Sequence, residues 1–174
     1  MRSTAVVSVR GASNIRVAMN AAELMGLPLN RYVVINFGLT SCPHLETPRA
    51  FAHIRELFRR WVTRGKNAAL KAADTHTFEN PTGQMHVNWS VHIPAGREEA
   101  FAKRLTSWIM RATGGVFPSN AVKISNIWNA GQLALYFIKG ADKAYTDYSR
   151  IRHEPQGEVP VSYTHLTLPT SDLV

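Results

Sequence analysis

The sequence contains a single cysteine, Cys42, so no intramolecular disulfide can form and a disulfide-stapled secreted fold is excluded. No stretch approaches the ~18–20 uninterrupted apolar residues that a membrane-spanning helix needs. Acidic residues are also scarce, with 12 Asp and Glu against 20 Lys and Arg, which gives a formal net charge of +8. We therefore expect a soluble, cytoplasmic protein without a membrane partner, whose positive charge favours a polyanion such as a nucleic acid.

The N-terminal segment is basic and has little pattern of its own. Positions 1–22 contain three arginines and no acidic residue. The segment lacks a clear amphipathic repeat and a continuous apolar run, which argues against a targeting peptide. We therefore expect residues 1–26 to form a basic, loosely ordered arm.

The length of the chain fits one compact domain, because 174 residues that are 45% hydrophobic and 9% aromatic can bury one core. We assign this domain to residues 27–160. The remaining residues, 161–174, contain no Lys or Arg and repeat Leu and Thr without a usable period. They look like translated sequencing-adapter read-through, so we expect a non-native tail and a domain that is truncated at its C-terminal end.

Hydrophobic periodicity divides the domain into alternating strands and helices. Runs rich in β-branched and aromatic residues predict strands, and apolar residues at three- and four-residue intervals predict helices. The predicted strands cover 32–39, 71–79, 85–93 and 121–127, and the predicted helices cover 48–64, 97–113 and 130–139. The order β-α-β-β-α-β-α is a split βαβ arrangement. It predicts an α+β, ferredoxin-like antiparallel sheet with helices packed on one face and the other face free to bind a ligand.

The first predicted helix has one apolar face and one basic face. Arg55, Arg59, Arg60 and Arg64 fall mainly opposite the apolar residues. Such a face is either a solvated surface or a place for phosphate contacts on a basic domain. We take these four arginines as the DNA-binding candidates.

The predicted strand 85–93 carries a polar stripe. Alternate side chains of a strand share a face, so His86, Asn88, Ser90 and His92 point to one side. His86 and Asn88 lie about 7 Å apart along the strand, close enough to converge on one ion, whereas His92 lies roughly 20 Å from His86. By itself, the stripe is also what a half-exposed strand with a solvated polar face would show.

The last predicted helix carries Tyr136 and Lys139, which stand three residues apart and so share a face. There the ammonium could steady a phosphate or favour a phenolate. Tyr-x-x-Lys alone is a weak pattern, since a Tyr at the edge of a core with a solvated Lys gives the same spacing. Tyr145 and Tyr148 are alternative nucleophiles, but they lie beyond Gly140 and outside this frame.

Taken in order, these segments resemble one family. A strand such as Tyr32–Phe37, a strand with His86-hydrophobic-polar, and a helix with Tyr136-x-x-Lys139 form the three-motif layout of rolling-circle replication initiators of the HUH endonuclease superfamily. The resemblance covers about residues 27–157 and is greatest to replication proteins of bacterial plasmids and filamentous phages. The details that carry it are Glu79-Asn80-Pro81-x-Gly83, Trp89-x-Val91-His92-Ile93-Pro94 and Tyr136-x-x-Lys139-Gly140.

The resemblance implies a single-stranded DNA endonuclease and strand transferase that acts at a replication origin. It makes Tyr136 the nucleophile that forms a 5′-phosphotyrosine, and Lys139 its electrostatic helper. It makes His86 the first ligand of Mg²⁺ or Mn²⁺. Glu79, at the end of the neighbouring strand, could supply the carboxylate that a hard cation prefers.

The sequence departs from this family at one position, because Asn88 stands where the second histidine of His-x-His is expected. An amide oxygen can ligate a hard cation, but it is neutral and weaker than a carboxylate. Either Glu79, His86 and Asn88 still form a working metal site, or the chain has lost cleavage and keeps only nucleic-acid binding. A relaxase or transposase of the same superfamily shares the motifs. The aromatic signature of an RNA-recognition domain does not occur in the sequence.

Overall fold

The computed structural model describes residues 3–64 and 70–160 of the chain. Within them, strands and helices alternate as the sequence predicts, with additional elements near both ends. The strands are β1 (Ser3–Thr4), β2 (Arg31–Asn36), β3 (Asp74–Glu79), β4 (His86–Val91), β5 (Val122–Asn126) and β6 (Val159–Pro160). The helices are α1 (Val9–Leu24), α2 (Thr47–Thr63), α3 (Glu98–Thr113), α4 (Ala130–Phe137) and α5 (Lys143–Tyr148). The tail 161–174 lies outside the described residues.

Four strands form an antiparallel sheet in the order β3-β4-β2-β5. The two central strands are those that the split βαβ arrangement requires, so the α+β, ferredoxin-like class is confirmed. The register places Asn36 of β2 and Glu79 of β3 on either side of His86 in β4. Side chains of these three residues therefore share one face of the sheet.

The opposite face of the sheet carries the main hydrophobic core, on which α2 and α3 pack. Trp89 points into this core, where its ring meets Phe51 and Phe58 of α2 edge-on and Phe101 of α3 at a tilt. These residues recur at the intervals that put them on one side of each element, because strand side chains alternate and helix side chains repeat every three or four positions. The predicted helices and the predicted strand thus meet as expected.

The polar face of the sheet is not free, because α1 and α4 lie against it. Helix α1 contacts α4 and β3, and its buried residues join those of α4 in a second apolar cluster. Buried polar residues on this face include Thr75, Thr77, Asn88 and Ser90. The expectation of helices on one face only therefore has to be extended to a second, smaller helical layer.

The expectation of a loosely ordered arm over residues 1–26 is wrong for α1. The helix begins after Ser8, whose hydroxyl accepts a hydrogen bond from the Gly11 amide at 3.1 Å. Its buried side is built from Ala12, Ile15, Ala18, Met19 and Ala22. Mostly small residues on the buried face give a weak hydrophobic period, so the sequence carries little helical signal in this segment.

The segment after α5 runs back across the molecule and ties several elements together. The Glu154 amide donates to the Lys139 carbonyl at 3.0 Å, and the Asn80 amide donates to the Gln156 carbonyl at 2.5 Å. Strand β6 then pairs with β1. The C-terminal segment thus fastens the end of α4 to the β3–β4 turn.

Across residues 3–64 and 70–160, no helix is long and apolar enough to cross a bilayer.

Candidate functional site

The candidate site lies at one end of the sheet, where β3 ends and β4 begins. Glu79 and His86 are paired across the two strands, and the Glu79 Oε2 and His86 Nε2 atoms are 3.3 Å apart. The turn between them contains Gly83 in the left-handed region, at φ 80°, a conformation that glycine adopts without steric cost. The hairpin therefore fixes a carboxylate beside an imidazole.

Helix α4 delivers Tyr136 and Lys139 to the same place. The Asn129 side chain caps the helix by accepting from the Gln132 amide, and Phe137 anchors it in the second apolar cluster. The α-helix ends at Phe137, so Lys139 lies in the following turn and not within the helix as predicted. The turn nevertheless folds its ammonium back over the Tyr136 ring, 3.9 Å from the ring centroid.

Lys139 connects the tyrosine to the hairpin. Its Nζ lies 3.4 Å from Glu79 Oε2 and 3.1 Å from Glu154 Oε2. Partial burial lowers the pKa of Lys139, but hydrogen bonds to Tyr136 and Glu154 and the charge of Glu79 outweigh that effect and raise it above its ordinary value. Lys139 is therefore a charged ammonium at neutral pH.

Tyr32 links the site to Asn88. The Tyr32 hydroxyl donates to Asn88 Oδ1 at 2.5 Å, while the Tyr32 ring meets the Tyr136 ring edge-on at 6.4 Å. The pKa of Tyr32 is raised, first by burial and then by the charges of Tyr136 and Glu79. Tyr32 is thus a neutral hydrogen-bond donor that holds the Asn88 amide and touches the predicted nucleophile.

The positions of Glu79 and His86 suit a divalent cation. Adjacent ligands of an octahedral Mg²⁺ stand about 3 Å apart, and the Glu79 and His86 atoms match that spacing. Asn88, the third predicted ligand, is only 1% exposed, and its side-chain oxygen accepts a hydrogen bond from the Tyr32 hydroxyl. Its oxygen is therefore engaged by Tyr32, which in turn contacts Tyr136. Within the described ranges, no three His, Cys, Asp or Glu side chains form a ready metal-binding group.

The arginines proposed for DNA binding lie on α2 or, for Arg64, directly after it, across the sheet from Tyr136. Arg55 Nε donates to Asp74 Oδ2 at 2.6 Å, and Arg59 Nε is 3.9 Å from Asp74 Oδ1. Arg60 pairs with Glu56 on the helix surface, and Arg64 is exposed at the helix end. The structure therefore does not bring these arginines to the site, and it engages Arg55 in a buried ion pair.

Two residues of the site were not found from the sequence. The sequence predicts Tyr32 only as part of a strand, although the pairing of β2 with β4 places it on the same face as Asn88. Glu154 follows no motif and reaches Lys139 through the path of the C-terminal segment. No protein-family model and no curated protein matches this chain. The resemblance to HUH endonucleases therefore rests on the order and spacing of the sequence motifs alone.

Proposed function

We propose that the protein is a metal-dependent, single-stranded DNA endonuclease and strand transferase that initiates rolling-circle replication of a plasmid or phage. The observation that carries this proposal is the convergence of Tyr136 and Lys139, from α4, with Glu79 and His86, from the β3–β4 hairpin. The two pairs are far apart in the sequence and belong to separate motifs of the family. If the motifs occurred by chance, nothing would require these side chains to meet in the fold.

Tyr136 has the position and exposure that a nucleophile needs. Tyr136 as a whole is 40% exposed, so a DNA strand can approach it and the phenolic proton can pass to solvent. The phenolate oxygen attacks the scissile phosphorus, the bond from phosphorus to the 3′ oxygen breaks, and that oxygen takes a proton. The products are a 5′-phosphotyrosine and a free 3′-hydroxyl. Another 3′-hydroxyl can later attack the same phosphorus, which breaks the bond to the Tyr136 oxygen, returns a proton to that oxygen and joins the two DNA ends.

The charged groups around Tyr136 suit this reaction. The Lys139 ammonium stabilises negative charge on the phenol oxygen and on an adjacent phosphate. Glu79 and His86 would hold Mg²⁺ or Mn²⁺, which would polarise the phosphate and neutralise charge that develops on its oxygens. Tyr32 supports the Tyr136 ring from the side of the sheet.

A second candidate is a catalytically impaired nucleic-acid-binding module of the same fold. Asn88 favours it, since the amide replaces an expected imidazole and is buried against Tyr32. A relaxase or transposase of the same superfamily would use the same groups on a different DNA substrate. The replication initiator and the relaxase or transposase would both form a covalent protein–DNA adduct, whereas the binding module would form none.

The decisive experiment is incubation of the full chain with labelled single-stranded origin DNA and Mn²⁺, followed by denaturing gels. We expect a covalent protein–DNA adduct that is absent in Tyr136→Phe. Tyr148→Phe is the matched control, because it removes an exposed hydroxyl from the neighbouring helix α5 and should leave the adduct intact.

Tight DNA binding without any adduct would overturn the nickase in favour of the binding module. Asn88→His is the informative companion. If only a ligand is missing, restoring the imidazole should raise the adduct yield. An unchanged yield would argue against a metal-binding role at this position.

A further inference from the structure

The Lys139 ammonium lies between two carboxylates that reach it from different parts of the chain. Glu79 Oε2 approaches from β3 at 3.4 Å, and Glu154 Oε2 approaches from the C-terminal segment at 3.1 Å. The same Glu79 oxygen is 3.3 Å from His86 Nε2. One carboxylate oxygen therefore faces both the ammonium and the nitrogen that would help to hold a cation.

The charges of this cluster balance when no divalent cation is bound. Glu79 and Glu154 carry two negative charges, whereas Lys139 and Arg152, whose Nε lies 3.9 Å from Glu154 Oε1, carry two positive charges, so the sum is zero when the imidazole is neutral. Addition of a divalent cation changes the sum to +2, which attracts a phosphodiester. A bound cation would therefore help a DNA backbone to settle beside Tyr136.

We propose that Lys139 and a divalent cation compete for the carboxylates of Glu79 and Glu154, so that cation binding displaces Lys139 from them and leaves it to Tyr136. Glu154 then becomes a third cation ligand beside Glu79 and His86. This inference rests on the proposed function only for the presence of a divalent cation. It adds a ligand that no family motif names and couples metal binding to the surroundings of the nucleophile.

The geometry allows this exchange without rearrangement of the fold. Lys139 Nζ already lies 3.9 Å from the Tyr136 ring centroid, so the ammonium keeps a partner when the carboxylates turn to a metal. The Glu154 side chain is 44% exposed, which gives a hydrated ion access from solvent. The Glu154 amide donates to the Lys139 carbonyl, so the backbone keeps both residues together during the exchange.

The test is Mn²⁺ binding to the full chain without DNA, followed by electron paramagnetic resonance of the free ion. In Lys139→Met the competing ammonium is gone, and we expect the dissociation constant for Mn²⁺ to fall by roughly tenfold or more. Lys143→Met is the matched control. It removes the same charge four residues away, from an exposed pair with Asp147, and should leave the dissociation constant unchanged.

Glu154→Gln tests the new ligand. Introduced into Lys139→Met, it should abolish most of the gain in Mn²⁺ affinity. Equal affinities of Lys139→Met and Lys143→Met would overturn the competition, and a full gain that survives Glu154→Gln would overturn Glu154 as a ligand. Should Lys139→Met fail to fold by circular dichroism, Lys139→Gln carries the same expectations. Absence of a DNA adduct together with the predicted Mn²⁺ series would refute the nickase and leave this inference standing.

Discussion

Replacement of Arg55 by Met removes an ion-pair partner that lies 2.6 Å from a fully buried carboxylate. Asp74 is 0% exposed and accepts from Arg55 Nε at 2.6 Å and from Trp89 Nε1 at 2.9 Å. Breaking a buried ion pair from one side costs about 3–5 kcal/mol, because the remaining charge loses its compensation. Arg59 Nε stays 3.9 Å from Asp74 Oδ1, which sets the expectation at the lower end, about 3 kcal/mol.

This loss is large enough to measure in a chain of this size. At roughly 2–4 °C per kcal/mol, Tm should fall by about 6–12 °C. The free energy of unfolding is measured by urea denaturation at neutral pH, with tryptophan fluorescence as the probe. Trp89 is a suitable reporter because its indole nitrogen binds the same carboxylate.

Arg60→Met is the matched control, since Arg60 pairs with Glu56 on the surface of the same helix. Exposed pairs of this kind contribute about 0.3–0.5 kcal/mol. A loss below about 1 kcal/mol in Arg55→Met would refute the buried ion pair. Folded Arg55→Met should bind single-stranded DNA as the wild type does. A selective loss of DNA affinity would instead support a role of Arg55 in phosphate contacts.

Three further predictions concern other contacts. Tyr32→Phe should lower the free energy of unfolding by about 1–3 kcal/mol, because it leaves the buried Asn88 amide without its donor; Mn²⁺ affinity should not change, and a gain would show that the freed amide oxygen can ligate the ion. Asp74 has a pKa below its ordinary 3.8, because Arg55 outweighs burial. Its stabilising contribution is therefore complete above about pH 4 and should be lost as the pH falls below that value, in unfolding measurements down to about pH 2. Gly157→Ala should destabilise by at least about 1 kcal/mol in thermal unfolding, since φ is 74° and the added Cβ would overlap the Asn80 carbonyl.

Local patterns were sufficient to predict most of the fold. Phe51, Ile54 and Phe58 repeat at helical spacing, and the turn at Pro81 and Gly83 separates two strands, so these elements carry their own signals. Helix α1 carries no such signal, because three of its buried residues are alanines. Its position over the polar face depends on contacts with α4, more than a hundred residues away, which no local pattern contains.

In the candidate site, too, some residues have a sequence signal and others do not. Glu79, His86, Tyr136 and Lys139 could be named because each belongs to a recognisable sequence motif. Their mutual contacts depend on the strand register and on the turn after α4, which the sequence does not display. Glu154 could not be named, because an acidic residue in an irregular segment has no pattern until the fold brings it to Lys139.

The two helical layers differ in the part of the chain that supplies them. The layer of α2 and α3 comes from the middle of the chain and has its own apolar core, whereas α1 and α4 come from near the two ends and share a separate one. Two cores on opposite faces of one sheet favour two units that open with different free energies. Glu79 and His86 belong to the sheet, whereas Tyr136 and Lys139 belong to the layer of α1 and α4 and the turn that follows α4. Partial opening of that layer would therefore take Tyr136 away from the hairpin while the rest of the fold stays intact. Amide hydrogen exchange in α1 and α4 would report how often Tyr136 and Lys139 leave Glu79 and His86.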